Sequence, residues 1–170
     1  MPYRLSDPSV PPTRDRRPDL DEVWPNLLIG EFLRPEDIAW LGREHRVSTV
    51  FSLQDADDLA ATGLDIDILQ RAYAAAGLRF ERVPVPDYEP SRMLAVLDRL
   101  LTQLAGSLGG GERVYLHCNA GMNRAPTVAI AYLHTNHGYS LRAACDLVRA
   151  RRTCAPYLQL LQTHFGKGSR

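Results

Sequence analysis

The chain predicts a single α/β domain with a mostly parallel central sheet of about four to five strands and helices on both faces. Two observations lead there. Short β-branched or aliphatic runs alternate with segments of helical periodicity, and that order favours parallel strands joined by helical crossovers. The 170 residues and 19.0 kDa also suit one sizeable core rather than two.

The elements follow in chain order. The stretch Met1 to Asp21 holds five prolines and four arginines with almost no apolar periodicity, so residues 1–21 are expected to form a flexible or loosely docked arm. The folded domain is expected over residues 22–166, with 167–170 a tail. Leu27 to Ile29 before Gly30 reads as a short strand. Pro35 opens a helix to about His45, with Ile38, Ala39 and Leu41 on one side. Val47 to Leu53 is a β-branched run fit for a central strand. Leu64 to Ala76 reads as a helix closed by Gly77, and Arg79 to Val83 as another strand.

A long helix starts at Ser91. Met93, Leu94, Val96, Leu97, Leu100, Leu101, Leu104 and Leu108 form one apolar stripe, and three glycines from Gly109 end it. Arg113 to His117 is the next strand. After a turn-rich loop, Pro126 to His134 is apolar all round, as in a buried helix. Ser140 caps a helix to about Arg149, and Pro156 starts a last one ending near Phe165.

Charge and hydropathy exclude several classes. Twenty basic residues balance twenty acidic ones, so no global field draws the chain to nucleic acid or an anionic membrane. No apolar run is long enough to span a bilayer. The first ten residues lack the apolar core of a signal peptide. Cys118, Cys145 and Cys154 are an odd set, which fits free thiols in a reducing, cytoplasmic setting.

The chemistry concentrates in His117-Cys118-Asn119-Ala120-Gly121-Met122-Asn123-Arg124, between a predicted strand and a predicted helix. A loop entering a helix N-terminus gathers backbone N–H groups and positive potential at one spot. Gly121 permits the tight turn. A cysteine opening that loop is favoured as the nucleophilic thiolate. Arg124, six positions on, can offer a planar fork to two phosphate oxygens. Cys118 and Arg124 are therefore the expected nucleophile and anion clamp. The backbone of Asn119 to Arg124 is the expected phosphate cradle, with His117 in support.

These residues resemble the dual-specificity phosphatase superfamily, whose motif reads His-Cys-x-x-Gly-x-x-Arg. The resemblance spans roughly Trp24 to Phe165 and is closest to plant-type glucan phosphatases of the starch-excess and like-starch-excess kind. CNAGMNRAPTVAIAYL from Cys118, GYSLRAACDLV from Gly138, RRTCAP from Arg151 and FSLQDADDL from Phe51 carry it. Ala125 is telling, because most of the superfamily has a hydroxyl residue there that assists departure of the thiolate. Asn123 departs from the usual Gly or Ser before the arginine, as a loop adjustment or a substrate contact.

The resemblance implies a cysteinyl-phosphate mechanism with no metal or cofactor. It also implies an aspartic general acid on a loop upstream of the nucleophile. In Val83-Pro84-Val85-Pro86-Asp87-Tyr88-Glu89-Pro90, Asp87 matches that acid, and Glu89 is the second choice. Tyr88 stands where glucan phosphatases place an aromatic to stack on sugar rings, or is a partly buried loop residue. Thiolate and protonated acid together imply a bell-shaped pH profile with an optimum below neutrality. The implied substrate is phosphorylated α-glucan. Phosphoprotein or phosphoinositide hydrolysis and a binding-only pseudophosphatase are the alternatives, with oligomeric state left open.

Other reactive residues have plainer readings. Cys145 is expected to be a small core residue and Cys154 a buried structural thiol. His134 and His137 belong to a solvated helix end, without a third metal ligand. Arg149, Arg151 and Arg152 suit a helix C-terminus through the dipole, with a secondary contact to phosphorylated substrate the other possibility.

Overall fold

The computed structural model describes residues 15–87 and 89–166. Five strands form one sheet in the order β1-β2-β5-β3-β4: β1 Leu20–Trp24, β2 Leu27–Gly30, β3 Thr49–Ser52, β4 Arg79–Arg82 and β5 Val114–His117. β1 pairs antiparallel with β2, and every other pairing is parallel. Seven helices are described: α1 Pro35–Glu44, α2 Ala56–Thr62, α3 Ile66–Ala76, α4 Pro90–Gly109, α5 Arg124–His137, α6 Leu141–Arg151 and α7 Leu158–Gly166.

Alternation along the strands explains the two layers. Leu27, Ile29, Phe51, Val114 and Leu116 face a core built with α4, α5 and α6, whose anchors include Met93, Leu97, Ile130 and Val148. Leu28, Val50 and Tyr115 face the opposite side, against Ile38 and Leu41 of α1 and Leu69 and Tyr73 of α3. One-residue steps place successive side chains on opposite faces, so β2, β3 and β5 serve both cores. β5 lies in the middle, and its register sets Gly30 and Ser52 on either side of His117. The loop after His117 thus leaves the carboxyl edge of a central parallel strand, where open α/β sheets place ligands.

Several boundaries differ from expectation. α2 falls in a stretch between the expected strand and the helix from Leu64, where no element was expected. A reciprocal cap starts it: Asp55 accepts from the Asp58 amide at 2.8 Å, while Asp58 accepts from the Asp55 amide at 2.9 Å. Gly63, with φ of 68°, ends it. α5 begins at Arg124, two residues before Pro126, so the arginine is the helix's first residue. The end of the expected arm is structured, since Leu20 and Asp21 already belong to β1. Arg16 also pairs with Glu31 at 2.8 Å, and Arg17 with Asp37 at 3.2 Å. The rest of the expected arm (residues 1–14) and the expected tail lie outside the described residues.

Candidate active site

The loop from Cys118 to Asn123 runs between β5 and α5, and all six of its carbonyls are held by surrounding groups. Cys118 O accepts from His117 Nδ1 at 2.9 Å, and Asn119 O from the Phe32 amide at 2.9 Å. Ala120 O and Gly121 O accept from Arg152 Nη2 and Nε at 3.0 and 2.8 Å. Met122 O accepts from the Ala155 amide at 2.8 Å, and Asn123 O from the Thr127 hydroxyl at 2.7 Å. In a trans peptide the N–H points opposite its C=O. Six carbonyls bonded into the scaffold therefore turn the following amides the other way, towards a common concavity. Among the described residues, none of the amides of 119–123 donates to another protein group.

Gly121 is required by the same geometry. Its φ is 64°, and a Cβ there would lie 2.6 Å from Gly30 O and 2.9 Å from Arg152 Nη2. The concavity is a cavity of ≈ 300 Å³ lined by Asp87, Cys118, Asn119, Ala120, Met122, Asn123 and Arg124. Cys118 is 3 % exposed, at its floor, and Met122 is an exposed apolar residue on its wall. Another cleft, bordered by Arg16, Arg17 and Arg34, holds no nucleophile and is crossed by the Arg17–Asp37 ion pair.

Arg124 is buried at 2 % exposure and is held by α2. Its Nη1 donates to Asp58 Oδ2 at 2.6 Å and to Val85 O at 2.7 Å, and its Nη2 donates to Asp58 Oδ1 at 3.3 Å. Three of the five guanidinium N–H groups are thereby used, leaving the outer Nη2 hydrogen and Nε–H as a fork. Burial opposes the charge on Arg124. The hydrogen bond to Asp58 and the neighbouring Cys118, Asp58 and Asp87 outweigh it, so its pKa lies above the ordinary value. Asp58 Oδ1 also accepts from Asn119 Nδ2 at 2.7 Å, and Asn119 Oδ1 accepts from Gln54 Nε2 at 2.7 Å. One carboxylate thus caps α2, orients the arginine and fixes the first loop side chain.

The segment carrying Asp87 extends β4. The Val83 and Val85 amides donate to Ser52 O and Leu53 O at 2.9 and 3.0 Å, which aligns the segment with the end of β3. Two residues on, Asp87 Oδ2 lies 3.5 Å from Arg124 Nη2, with the side chain 28 % exposed. Sequence reasoning placed Asp87, Cys118 and Arg124 together, and one cavity holds all three. Glu89 instead pairs with Arg92 at 2.7 Å on the exposed start of α4. Tyr88 lies outside the described residues. His117 is buried on β5, and desolvation, reinforced by Arg124, pushes its pKa down to about 4. It is therefore neutral, with Nδ1–H given to the Cys118 carbonyl.

Arg152 corrects an expectation. Arg149 and Arg151 are exposed on α6 as a helix end requires, but Arg152 is 4 % exposed and turns beneath the β5–α5 loop. Its Nη1 pairs with Asp21 at 2.9 Å and Asp19 at 3.4 Å. The extended backbone at the end of α6, φ −141° and ψ 131°, swings the side chain inward. Asp58 and Arg152 are two supporting positions that the sequence reading did not assign to the site. The Asp-x-x-Asp capping pattern at Asp55 was the available signal for the first; nothing local marks the second.

Cys145 is buried among α6 core residues, and burial pushes the half-buried Cys154 thiol up. His134 Nδ1 bonds Tyr139 O at 2.7 Å, and His137 Nε2 bonds the Tyr132 hydroxyl at 3.1 Å. Each histidine thus has its own partner.

Residues 44–161 match the family described as dual specificity phosphatase, catalytic domain. The chain belongs to this family. It is 32% identical over 144 residues to a phosphoglucan phosphatase, DSP4, amyloplastic, of Castanea sativa, covering 83% of this chain and 38% of that protein. It is 25% identical over 141 residues to laforin of Mus musculus, covering 76% and 43%. The chain therefore spans about two-fifths of the length of these relatives. The fold matches that of PTPMT1 in complex with PI(5)P with a TM-score of 0.73 at 19% identity, covering 87% of this chain and 95% of that one. Family membership agrees with the α/β architecture. Among the described residues no helix is long and apolar enough to cross a membrane.

Proposed function

We propose that this domain hydrolyses phosphate monoesters through a cysteinyl-phosphate intermediate. The observation that carries the reading is the ring of six outward-bonded carbonyls around Cys118, with Arg124 and Asp87 on the same cavity. In the first step the Cys118 sulfur attacks phosphorus. The ester oxygen leaves with its electron pair and takes a proton from the Asp87 carboxyl. In the second step water attacks the phosphocysteine, Asp87 accepts a proton from it, and phosphate leaves as the thiolate is restored. The inward amides and the free edge of the Arg124 fork stabilise charge on the three equatorial oxygens.

Ala125 puts no hydroxyl at the start of α5, and the Thr127 hydroxyl is already engaged by Asn123 O and by the Tyr157 amide at 2.8 Å. Loss of the thiolate therefore relies on the helix N-terminus and loop amides alone, which slows the second step relative to chains with a hydroxyl there.

Phosphorylated α-glucan is the substrate this reading favours. Its support is the Arg124-Ala125-Pro126 run, the stretches that resemble glucan phosphatases, and the name of the Castanea sativa relative. The test compares phosphate release from phosphorylated amylopectin and from phosphotyrosine and phosphoserine peptides at equal enzyme. Faster release from the glucan supports the reading. Preference for peptides replaces the substrate with phosphoprotein, and release from neither leaves a binding module.

A further inference from the structure

Tyr157 stands just before α7, and two backbone amides of its segment tie it to the nucleophile loop and the first turn of α5. The Ala155 amide donates to Met122 O at 2.8 Å, and the Tyr157 amide donates to Thr127 Oγ1 at 2.8 Å. Thr127 in turn donates to Asn123 O at 2.7 Å. Its backbone is therefore held in register with the loop. From that position the phenol hydroxyl meets Asp87 Oδ1 at 3.4 Å. Asp87 Oδ2, the other oxygen of the same carboxyl, is the one that faces Arg124 at 3.5 Å.

We infer that Tyr157 is a positioning residue for the general acid: its hydroxyl holds Asp87 Oδ1 and so presents Oδ2 to the leaving oxygen. The inference rests on the hydrolytic reading above and deepens it. A carboxyl group can deliver its proton from either oxygen and can rotate freely unless one oxygen is held. A hydroxyl donor on Oδ1 leaves that oxygen as acceptor and puts the transferable proton on Oδ2, beside the guanidinium that holds the phosphate. Contacts of this kind are often long in the unliganded site and shorten as substrate closes it. Burial pushes the Tyr157 phenol up, with the Asn123 side chain beside the same hydroxyl, so it stays a protonated donor.

The consequence depends on the leaving group. Nitrophenolate departs without help, whereas a sugar or glycerol alkoxide needs the proton. Tyr157→Phe removes the hydroxyl and keeps the ring. The kcat/KM ratio of p-nitrophenyl phosphate to β-glycerol phosphate should rise about tenfold in this variant, a fraction of what a positioned acid supplies. The loss should fall on kcat rather than KM, and it should vanish when Tyr157→Phe is made in an Asp87→Asn background. An unchanged ratio, or a Tyr157 effect that persists in the Asp87→Asn background, overturns the assignment. A wild-type protein that hydrolyses neither ester refutes the hydrolytic reading itself. An active wild type with an unchanged ratio in the variant refutes Tyr157 alone.

Discussion

Asp58 holds Arg124 with both carboxylate oxygens, at 2.6 Å to Nη1 and 3.3 Å to Nη2, where neither side chain is more than a few per cent exposed. This pair decides which edge of the guanidinium would remain for the phosphate of the proposed reaction. It also ties the arginine to a helix cap contributed by a segment 66 residues earlier in the chain. Removing Asp58 leaves a buried charge and the Asn119 amide without their partner, a loss of about 3–5 kcal/mol for a broken buried pair. Asp58→Ala should therefore lower the urea midpoint of unfolding and raise KM for any phosphate ester, because the fork is no longer aimed. Asp58→Asn keeps a carbonyl acceptor but loses the charge, and should fall between the two. Steady-state kinetics and urea unfolding of the three proteins check the order.

Arg152 makes a second prediction of a different kind. Its guanidinium satisfies Gly121 O and Ala120 O and faces two aspartates, so it shapes the loop without lining the cavity. Arg152→Met should cost about 2–4 kcal/mol, since two buried carbonyls lose their donors. It should also reduce kcat/KM. Arg152→Lys should not restore activity, because an ammonium cannot span two carbonyls and two carboxylates in one plane. Full rescue by lysine would contradict a planar, multiply bonded role.

Gly121 carries a third. At φ 64°, with a Cβ 2.6 Å from Gly30 O, any side chain must displace either the loop or the end of β2. Gly121→Ala should lower both thermal stability and turnover, whereas Gly77→Ala, at φ 71° with open space around it, should cost only the backbone strain of about 1 kcal/mol. Differential scanning calorimetry with an activity assay separates the two sites.

The pH dependence of stability follows from His117. Its folded pKa of about 4 lies below its ordinary value of 6.5, because burial disfavours the imidazolium. Between those values the unfolded chain binds the extra proton, so stability falls as pH drops from about 6.5 to about 4 and levels off below. The full effect is on the order of 3 kcal/mol. His117→Asn, which keeps a donor for Cys118 O, should flatten that part of the urea-midpoint profile. An unchanged slope in the variant would assign the acid sensitivity to other groups.

Two of the three candidate residues that line the cavity, Cys118 and Arg124, were legible in the sequence because their pattern is local. Cys118 and Arg124 sit six residues apart in one loop, and the strand before them and the buried helix after them have clear periodicity. Asp87 was legible only through the resemblance, on a proline-flanked loop. The supporting shell was not. Asp58 and Arg152 act across 66 and 31 residues, and a charged residue on a helix gives no sequence sign that it turns inward. α2 is seven residues with an acidic first turn, too short for a moment to show. β1 is an edge strand reading LDEVW, whose acidic pair mimics an arm, although Asp21 is there to meet Arg152. Tyr157 was hidden because its hydroxyl contacts a loop from another part of the chain.

The most direct test of the account is the initial rate of p-nitrophenyl phosphate hydrolysis by the wild-type protein and by Cys118→Ser. The serine keeps the shape of the loop but lacks the thiolate. The wild type should turn over, and the variant should lose activity by about a thousandfold or more while still binding inorganic phosphate. Equal rates in the two proteins would place the chemistry on some other group, and the account would fail.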